Sequence, residues 1–166
     1  IMMTSIQLAS VISAVANGGF IMKPYVVREI RDKKGIPLRT FIPVRERKII
    51  SPETVRKMKQ ILVGVVESGT GKIAAVENYK VAGKTGTAQK AENGVYSHDS
   101  FTASFVGFIP ADNPKLTISV ILDKPHPYYF GGVVCTPAFK RIAGDSLQYL
   151  NSFSQDWRFA NTGVSE

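Results

Sequence analysis

The residues best suited to chemistry lie in one short segment, Val81 to Gln89. It contains Lys84, Thr85 and Thr87, with one glycine before the lysine and another between the two threonines. An ammonium group and two hydroxyl groups at this spacing can together hold a carboxylate. Glycine occurs inside a strand where another backbone comes close, so the segment is typical of a strand that a ligand approaches. The alternative is an ordinary edge strand whose lysine stem lies along the protein surface.

A phosphate-binding loop is a second possible interpretation of the same segment, but the glycines of this chain do not have the spacing that such a loop requires. That motif requires a glycine five residues before Gly83, where the chain has Asn78. Gly71-Lys72 fails in the same way, because Val66 stands where the first glycine should be. We therefore expect no nucleotide to bind through either segment.

Composition limits the classes of protein that the chain can belong to. The 166 residues suit one domain, and 44% hydrophobic with 20% charged residues excludes a disordered chain. Cys135 is the only cysteine, which excludes an internal disulfide framework and a multi-cysteine zinc site, and we predict that it is a small buried residue. No apolar run approaches the roughly 18 residues of a membrane span. We expect neither a metal nor a cofactor.

The net charge of +8 permits attraction to a polyanion. The basic residues form short clusters, such as Lys33-Lys34, without an aromatic-interleaved helix or zinc-finger spacing. A solvated basic surface is the simpler interpretation, and we expect no nucleic-acid partner.

The elements around Lys84 are predicted by helix caps and by apolar periodicity. Thr4 and Gln7 have the spacing of a capping box, and Ser51-Pro52 is typical of a second helix start. The predicted helices cover about 4–17, 51–68 and 137–150, and the predicted strands cover Tyr25 to Arg31, Ile36 to Ile42, Tyr79 to Gln89, Phe101 to Ile109 and Leu116 to Leu122. Short links force the last three strands to pair antiparallel. The predicted class is α+β, an antiparallel sheet with helices packed on its faces.

His98 and Asp99 beside Ser100 invite comparison with a hydrolase triad. Adjacent residues on an extended chain point to opposite faces, so these three cannot form one. We predict a surface loop there.

Several segments, in order and at matching spacing, resemble the C-terminal part of the transpeptidase domain of class B penicillin-binding proteins, which has a serine β-lactamase-like fold. Their wording is closest to the division and sporulation branch. The matching landmarks are Gln7-Leu8-Ala9, Ala16-Asn17-Gly18-Gly19, Pro24, Gly69-Thr70, Val81 to Gln89, Ala103 to Phe108 with Pro110, Asp112-Asn113-Pro114, Tyr129-Phe130-Gly131-Gly132 and Pro137-Ala138-Phe139. The resemblance covers residues 1–150, and residues 151–166 are predicted to form a separate polar tail.

The resemblance implies a D,D-transpeptidase that cross-links peptidoglycan stem peptides through a serine acyl-enzyme and that β-lactams acylate. Lys84 would supply positive charge, and the Thr87 N–H would donate to the oxyanion. Thr85 and Thr87 would bind the substrate carboxylate, and Gly86 would let the substrate lie alongside the strand. Tyr129 and Phe130 would form an aromatic wall, for which plain core packing is the alternative.

Two of the three motifs of that family are missing from the chain. No serine is followed by lysine at the third position or by asparagine at the second. Because the chain starts at Ile1 and the family places both motifs earlier, we expect a piece of a longer protein that is inactive alone. The N-terminal portion and cell-wall synthesis or division proteins are the expected partners, on the extracytoplasmic face of a bacterial membrane with an N-terminal anchor. A non-catalytic penicillin-binding sensor or scaffold and a serine β-lactamase relative are the alternatives.

Overall fold

The computed structural model describes residues 3–92 and 94–161. In this part of the chain, helices and strands follow one another as α1 (Ser5–Ala16), β1 (Phe20–Met22), β2 (Glu29–Arg31), β3 (Pro37–Thr40), β4 (Arg45–Lys48), α2 (Pro52–Glu67), a 3₁₀ turn (Lys72–Ala74), β5 (Ala82–Glu92), β6 (Val95–Ile109), β7 (Leu116–Asp123), α3 (Gly131–Val134) and α4 (Thr136–Asn161). None of the helices described is both long and apolar enough to cross a membrane.

Three antiparallel strands in the order β5-β6-β7 form the central sheet. The β5–β6 register pairs Ala82 with Phe108 and Thr87 with Ala103. It shifts between Gln89 and Ala91, which is a β-bulge. Among the strands described, β5 pairs with β6 alone, so its other edge has no strand partner, and we call it the open edge.

The sheet is covered by helices on both faces, and neighbouring residues of β6 pack against different helices because their side chains point to opposite faces. Phe105 is fully buried toward α4, where it meets Phe139 edge to face with ring centroids 4.7 Å apart. Val106 lies on the other face, in a cluster with Ile12 of α1 and Leu62 of α2. The predicted α+β architecture is confirmed.

Both predicted helix starts are confirmed at atomic level. Thr4 Oγ1 accepts the Gln7 N–H, and the Gln7 side-chain oxygen accepts the Thr4 N–H at 2.8 Å. Ser51 Oγ accepts the Thr54 N–H at 3.1 Å, with Pro52 at the first helical position. The hydrogen bonds satisfy N–H groups that a helix start leaves without partners.

The structure differs from the prediction in two strands that were not expected, in the region of His98 and Asp99, and at the end of the last helix. β1 and β4 pair antiparallel, and all four residues of β4 are charged, so no apolar alternation signals that strand. His98 and Asp99 lie in β6 instead of a loop, as exposed residues of a strand that extends beyond its apolar part. Helix α4 continues to Asn161, past its predicted end at Leu150, because neither glycine nor proline interrupts residues 145–162.

Candidate functional site

The open edge of β5 carries the segment that the sequence selects as the site. Lys84 and Thr87 are exposed on this strand, and Thr85 is partly exposed. Successive residues alternate between faces, so Lys84 lies on the opposite face from Thr85 and Thr87. The structure therefore places the predicted ammonium group and the two predicted hydroxyl groups along the same edge of the sheet. The ammonium group comes from one face of the strand and the hydroxyl groups come from the other. Lys84 Nζ donates to the backbone carbonyl of Thr85 at 2.9 Å.

Thr85 has a hydroxyl partner from a distant part of the chain. Its Oγ1 lies 2.8 Å from Oγ1 of Thr70, in the loop that follows α2. In the sequence, Thr70 is only one of the landmarks of the family resemblance, since a contact across fifteen positions leaves no local spacing to detect. The contact holds the Thr85 side chain in one position beside the open edge.

Thr87 connects the strand to the start of α3. Its Oγ1 accepts the Gly131 N–H at 3.2 Å. A Cβ at Gly131 would collide with the backbone carbonyls of Gly86 and Ser104. Gly131 therefore lets α3 come against the sheet, next to the segment predicted to bind substrate.

The predicted aromatic wall stands at the same end of the sheet. Tyr129 stacks on Phe101 of β6, with centroids 4.2 Å apart and ring planes 10° from parallel. Phe130 lies 4.5 Å from Tyr129 and is the N-cap residue of α3. Phe130 is 56% exposed and Tyr129 is 36% exposed, so neither ring is fully buried, and their role as an aromatic wall stays a prediction.

The two glycines of the segment have packing reasons within the sheet itself. A Cβ at Gly83 would come 2.5 Å from the Phe105 ring, and a Cβ at Gly86 would collide with Ser104 Oγ. The close approach that the glycines indicated is therefore made, at least in part, by side chains of β6. A ligand approach to Gly86 stays a prediction.

The other candidate groups of the sequence do not assemble into a site. His98 and Asp99 are exposed, while Ser100 is buried. Cys135 is fully buried as predicted, and burial raises the pKa of its thiol, which keeps it protonated. Among the residues described, no three His, Cys, Asp or Glu side chains come together as metal ligands.

An antiparallel sheet covered by helices on both faces, with a Lys-Thr-Gly segment on its unpaired edge, is typical of the penicillin-binding and serine β-lactamase class of fold, to which the solved structures similar to this chain belong. Within that class the family model described as "Penicillin binding protein transpeptidase domain" matches residues 1–144. The chain belongs to this family.

Individual relatives confirm two predictions: the resemblance to class B penicillin-binding proteins, and the similarity to their division and sporulation branch. Stage V sporulation protein D of Bacillus subtilis is 41% identical over 151 residues, 89% of this chain and 23% of that protein. Probable peptidoglycan D,D-transpeptidase PenA of Neisseria gonorrhoeae is 42% identical over 106 residues, 63% of this chain and 18% of that protein. The chain therefore spans about a quarter or less of these relatives.

Solved structures show the same fold. Penicillin-binding protein 3 of Mycobacterium tuberculosis, complexed with aztreonam, has a TM-score of 0.75 and 32% identity, and the match covers 90% of this chain and 36% of that one. The D,D-transpeptidase domain of a peptidoglycan glycosyltransferase from Eggerthella lenta has a TM-score of 0.72 and 31% identity, covering 84% and 31% of the two chains.

Proposed function

We propose that this chain is the C-terminal part of a peptidoglycan D,D-transpeptidase, and that the edge of β5 from Lys84 to Thr87 binds the stem peptide. The observation that carries the proposal is the open edge itself. It combines one ammonium group and two positioned hydroxyl groups with an aromatic cluster beside it. The name of the Neisseria gonorrhoeae relative, a probable peptidoglycan D,D-transpeptidase, agrees with this reaction.

The backbone of the strand supports a role for Thr87 in stabilising an oxyanion. In an antiparallel strand, residues two apart direct their N–H and C=O groups toward the same edge. The Thr85 carbonyl accepts from the Lys84 side chain, which is consistent with a carbonyl that faces the open edge. The N–H of Thr87 would then face the same edge and donate to the negative oxygen of the tetrahedral intermediate.

Substrate would lie along β5 as an added strand. Main-chain hydrogen bonds to an open edge give affinity to an extended peptide, and the neighbouring side chains give specificity. Lys84 would attract the terminal carboxylate, Thr85 and Thr87 would donate hydrogen bonds to it, and Gly86 would leave the backbone accessible. Tyr129 and Phe130 would cover the apolar side of the acyl group.

The nucleophile would come from another portion of the protein, because these 166 residues contain no Ser-x-x-Lys or Ser-x-Asn motif. That portion would attack the penultimate D-alanine, release the terminal D-alanine and pass the acyl group to an amine of a second stem peptide. β-Lactams would acylate the same serine. The expected location is the extracytoplasmic face of the bacterial membrane, held there by an N-terminal anchor and working with cell-wall synthesis or division proteins.

The proposal is tested in the complete protein by replacing Lys84→Ala and measuring the rate of acylation by a fluorescent penicillin. We expect a loss of about 10- to 100-fold, because a hydrogen bond to a charged group contributes about 1.5–3 kcal/mol. Lys140→Ala, which removes one exposed charge from α4, is the matched control and should label at the normal rate. Undiminished labelling of Lys84→Ala would refute the role of Lys84.

The chain alone is expected to form no covalent adduct with penicillin. Intact-mass measurement after penicillin treatment checks this, and a stable adduct would contradict it. In the complete protein, a rapidly cleared adduct would indicate a β-lactamase. Stable acylation without cross-linking of stem peptides would indicate a sensor or scaffold.

A further inference from the structure

The segment that carries Tyr129 and Phe130 connects β7 to α3 and spans residues 124–130, which we call the aromatic loop. It is attached to the sheet at each end and along its length. The Gly131 N–H donates to Thr87 at the far end, and Tyr129 stacks on Phe101 before it. The beginning of the loop has its own attachment, at Asp123.

Asp123, the last residue of β7, forms an ion pair with a residue of β5, which is not the strand next to it in the sheet. Lys90 Nζ of β5 lies 2.6 Å from Asp123 Oδ1 at the end of β7. Adjacent strands lie about 4.8 Å apart, so the lysine reaches across β6 to a strand roughly 10 Å away. The β5 register shifts at Lys90, between Gln89 and Ala91, and bulges of this kind redirect a side chain beside a functional site.

The next residue of the loop has a costly backbone conformation. Lys124 has φ of 49°, in the left-handed region that a side chain with a Cβ rarely adopts. Its N–H donates to the Phe101 carbonyl at 2.9 Å. Phe101 thus contacts the aromatic loop twice, through its backbone at Lys124 and through its ring at Tyr129. Strained residues persist where surrounding contacts over-determine them, and the Asp123 attachment immediately precedes this one.

We propose that Lys90 and Asp123 are a positioning pair. They clamp the start of the aromatic loop to the sheet, so that Tyr129 and Phe130 stand beside Thr87. The pair touches no reacting atom and acts through the loop. The proposal rests on the proposed function of the β5 edge, and it adds a determinant four strand positions beyond the Lys-Thr-Gly segment. Lys90 thus couples the substrate-binding strand to the wall that encloses the acyl group.

Two readouts on the complete protein test the clamp and its consequence separately. The first is amide hydrogen exchange at Lys124 and Gly131, whose N–H groups bond the two ends of the aromatic loop to the sheet and so report its opening. The second is acylation by aztreonam, resolved into the noncovalent dissociation constant and the acylation step. Exposed ion pairs contribute modestly, so for Lys90→Ala we expect about three- to fivefold faster exchange and a similar loss of noncovalent affinity. The acylation step itself should change less than about twofold, because no reacting group is removed.

Swapping the charges of Lys90 and Asp123, together with a matched control, distinguishes positioning of the aromatic loop from a general loss of stability. Lys90→Glu alone should be worse than Lys90→Ala, and Lys90→Glu combined with Asp123→Lys should restore both readouts to within about twofold. Lys140→Ala removes the same charge far from the aromatic loop and should leave both unchanged.

The possible results distinguish the three claims: the clamp, its positioning role and the proposed function of the β5 edge. Unchanged exchange in Lys90→Ala would overturn the clamp. Faster exchange with unchanged aztreonam affinity would overturn the positioning role while leaving the clamp. A complete wild-type protein that aztreonam does not acylate would refute the proposed function, and the exchange measurement would still decide whether Lys90 and Asp123 hold the loop.

Discussion

The substitution Gly86→Ala tests why a glycine lies in the middle of β5, the strand that we propose binds substrate. A Cβ at this position would collide with Ser104 Oγ, while the next atom, Ser104 Cβ, would be 3.8 Å away at ordinary contact distance. The obstruction is thus a single hydroxyl oxygen on the neighbouring strand. Ser104→Ala removes that oxygen and leaves a space that accepts the new methyl group.

The expected magnitudes follow from that geometry. Overpacking typically costs about 1–3 kcal/mol, and alanine recovers about 0.4–1 kcal/mol by restricting the unfolded chain. Gly86→Ala should therefore lower the free energy of unfolding by about 1–2 kcal/mol when Ser104 is present. In the Ser104→Ala background the same change should be neutral or slightly stabilising, which gives a coupling energy of about 1–3 kcal/mol. Gly144→Ala, in helix α4 where an added Cβ would meet no other group, is the matched control and should stabilise.

Urea unfolding of the four proteins of this cycle measures the coupling, and acylation by fluorescent penicillin gives its functional counterpart. Additive effects on the unfolding free energy would refute the collision argument. If the double variant recovers stability but remains slow to acylate, the absence of a side chain at Gly86 also matters to substrate. Recovery of both would show that the glycine serves the sheet alone.

Two further predictions concern the core and the aromatic loop. Phe139→Ala removes the fully buried partner of Phe105 and should lower the free energy of unfolding in urea by about 3–5 kcal/mol. Phe130→Ala, which removes an exposed ring, should cost far less. Similar costs for the two variants would contradict the packing described. The hydrogen bond from Lys90 keeps the pKa of Asp123 below its ordinary value of 3.8, with Lys124 and Thr102 contributing. A carboxylate with a depressed pKa stabilises the fold above the unfolded value and loses that contribution as pH falls through the folded value. The stability difference between wild type and Asp123→Asn should therefore be present at pH 7 and shrink below pH 3.8; a difference that persists in acid would refute an electrostatic origin.

Local signals in the sequence predicted those parts of the structure that local chemistry determines. Thr4, Gln7 and Ser51 cap helices through contacts three residues away, so their spacing is sufficient. The Lys84 segment was found because glycine and lysine are unusual inside a strand. Strands β1 and β4 were missed, because one is three residues long and the other is entirely charged.

The contacts that organise the candidate site were beyond sequence reasoning for a different reason. Thr70 with Thr85, Thr87 with Gly131 and Lys90 with Asp123 are separated by 15, 44 and 33 positions. Such pairs depend on strand register and on the bulge at Lys90, and neither leaves a periodic pattern in one sequence. A slip of one residue between β5 and β6 would move the side chains of Thr85, Thr87 and Lys90 to the opposite face, away from these partners.

These long-range contacts bear on how the β5 edge would recognise a carboxylate. The hydroxyl of Thr85 is already positioned by Thr70, and that of Thr87 by the start of α3. Side chains that are held before a ligand arrives lose little conformational entropy when it binds. The Lys84 ammonium donates to one carbonyl and keeps further donor capacity, since an ammonium group has three hydrogens. The edge therefore combines two preorganised hydroxyl groups with one adjustable cation, which suits a carboxylate at the end of an extended peptide.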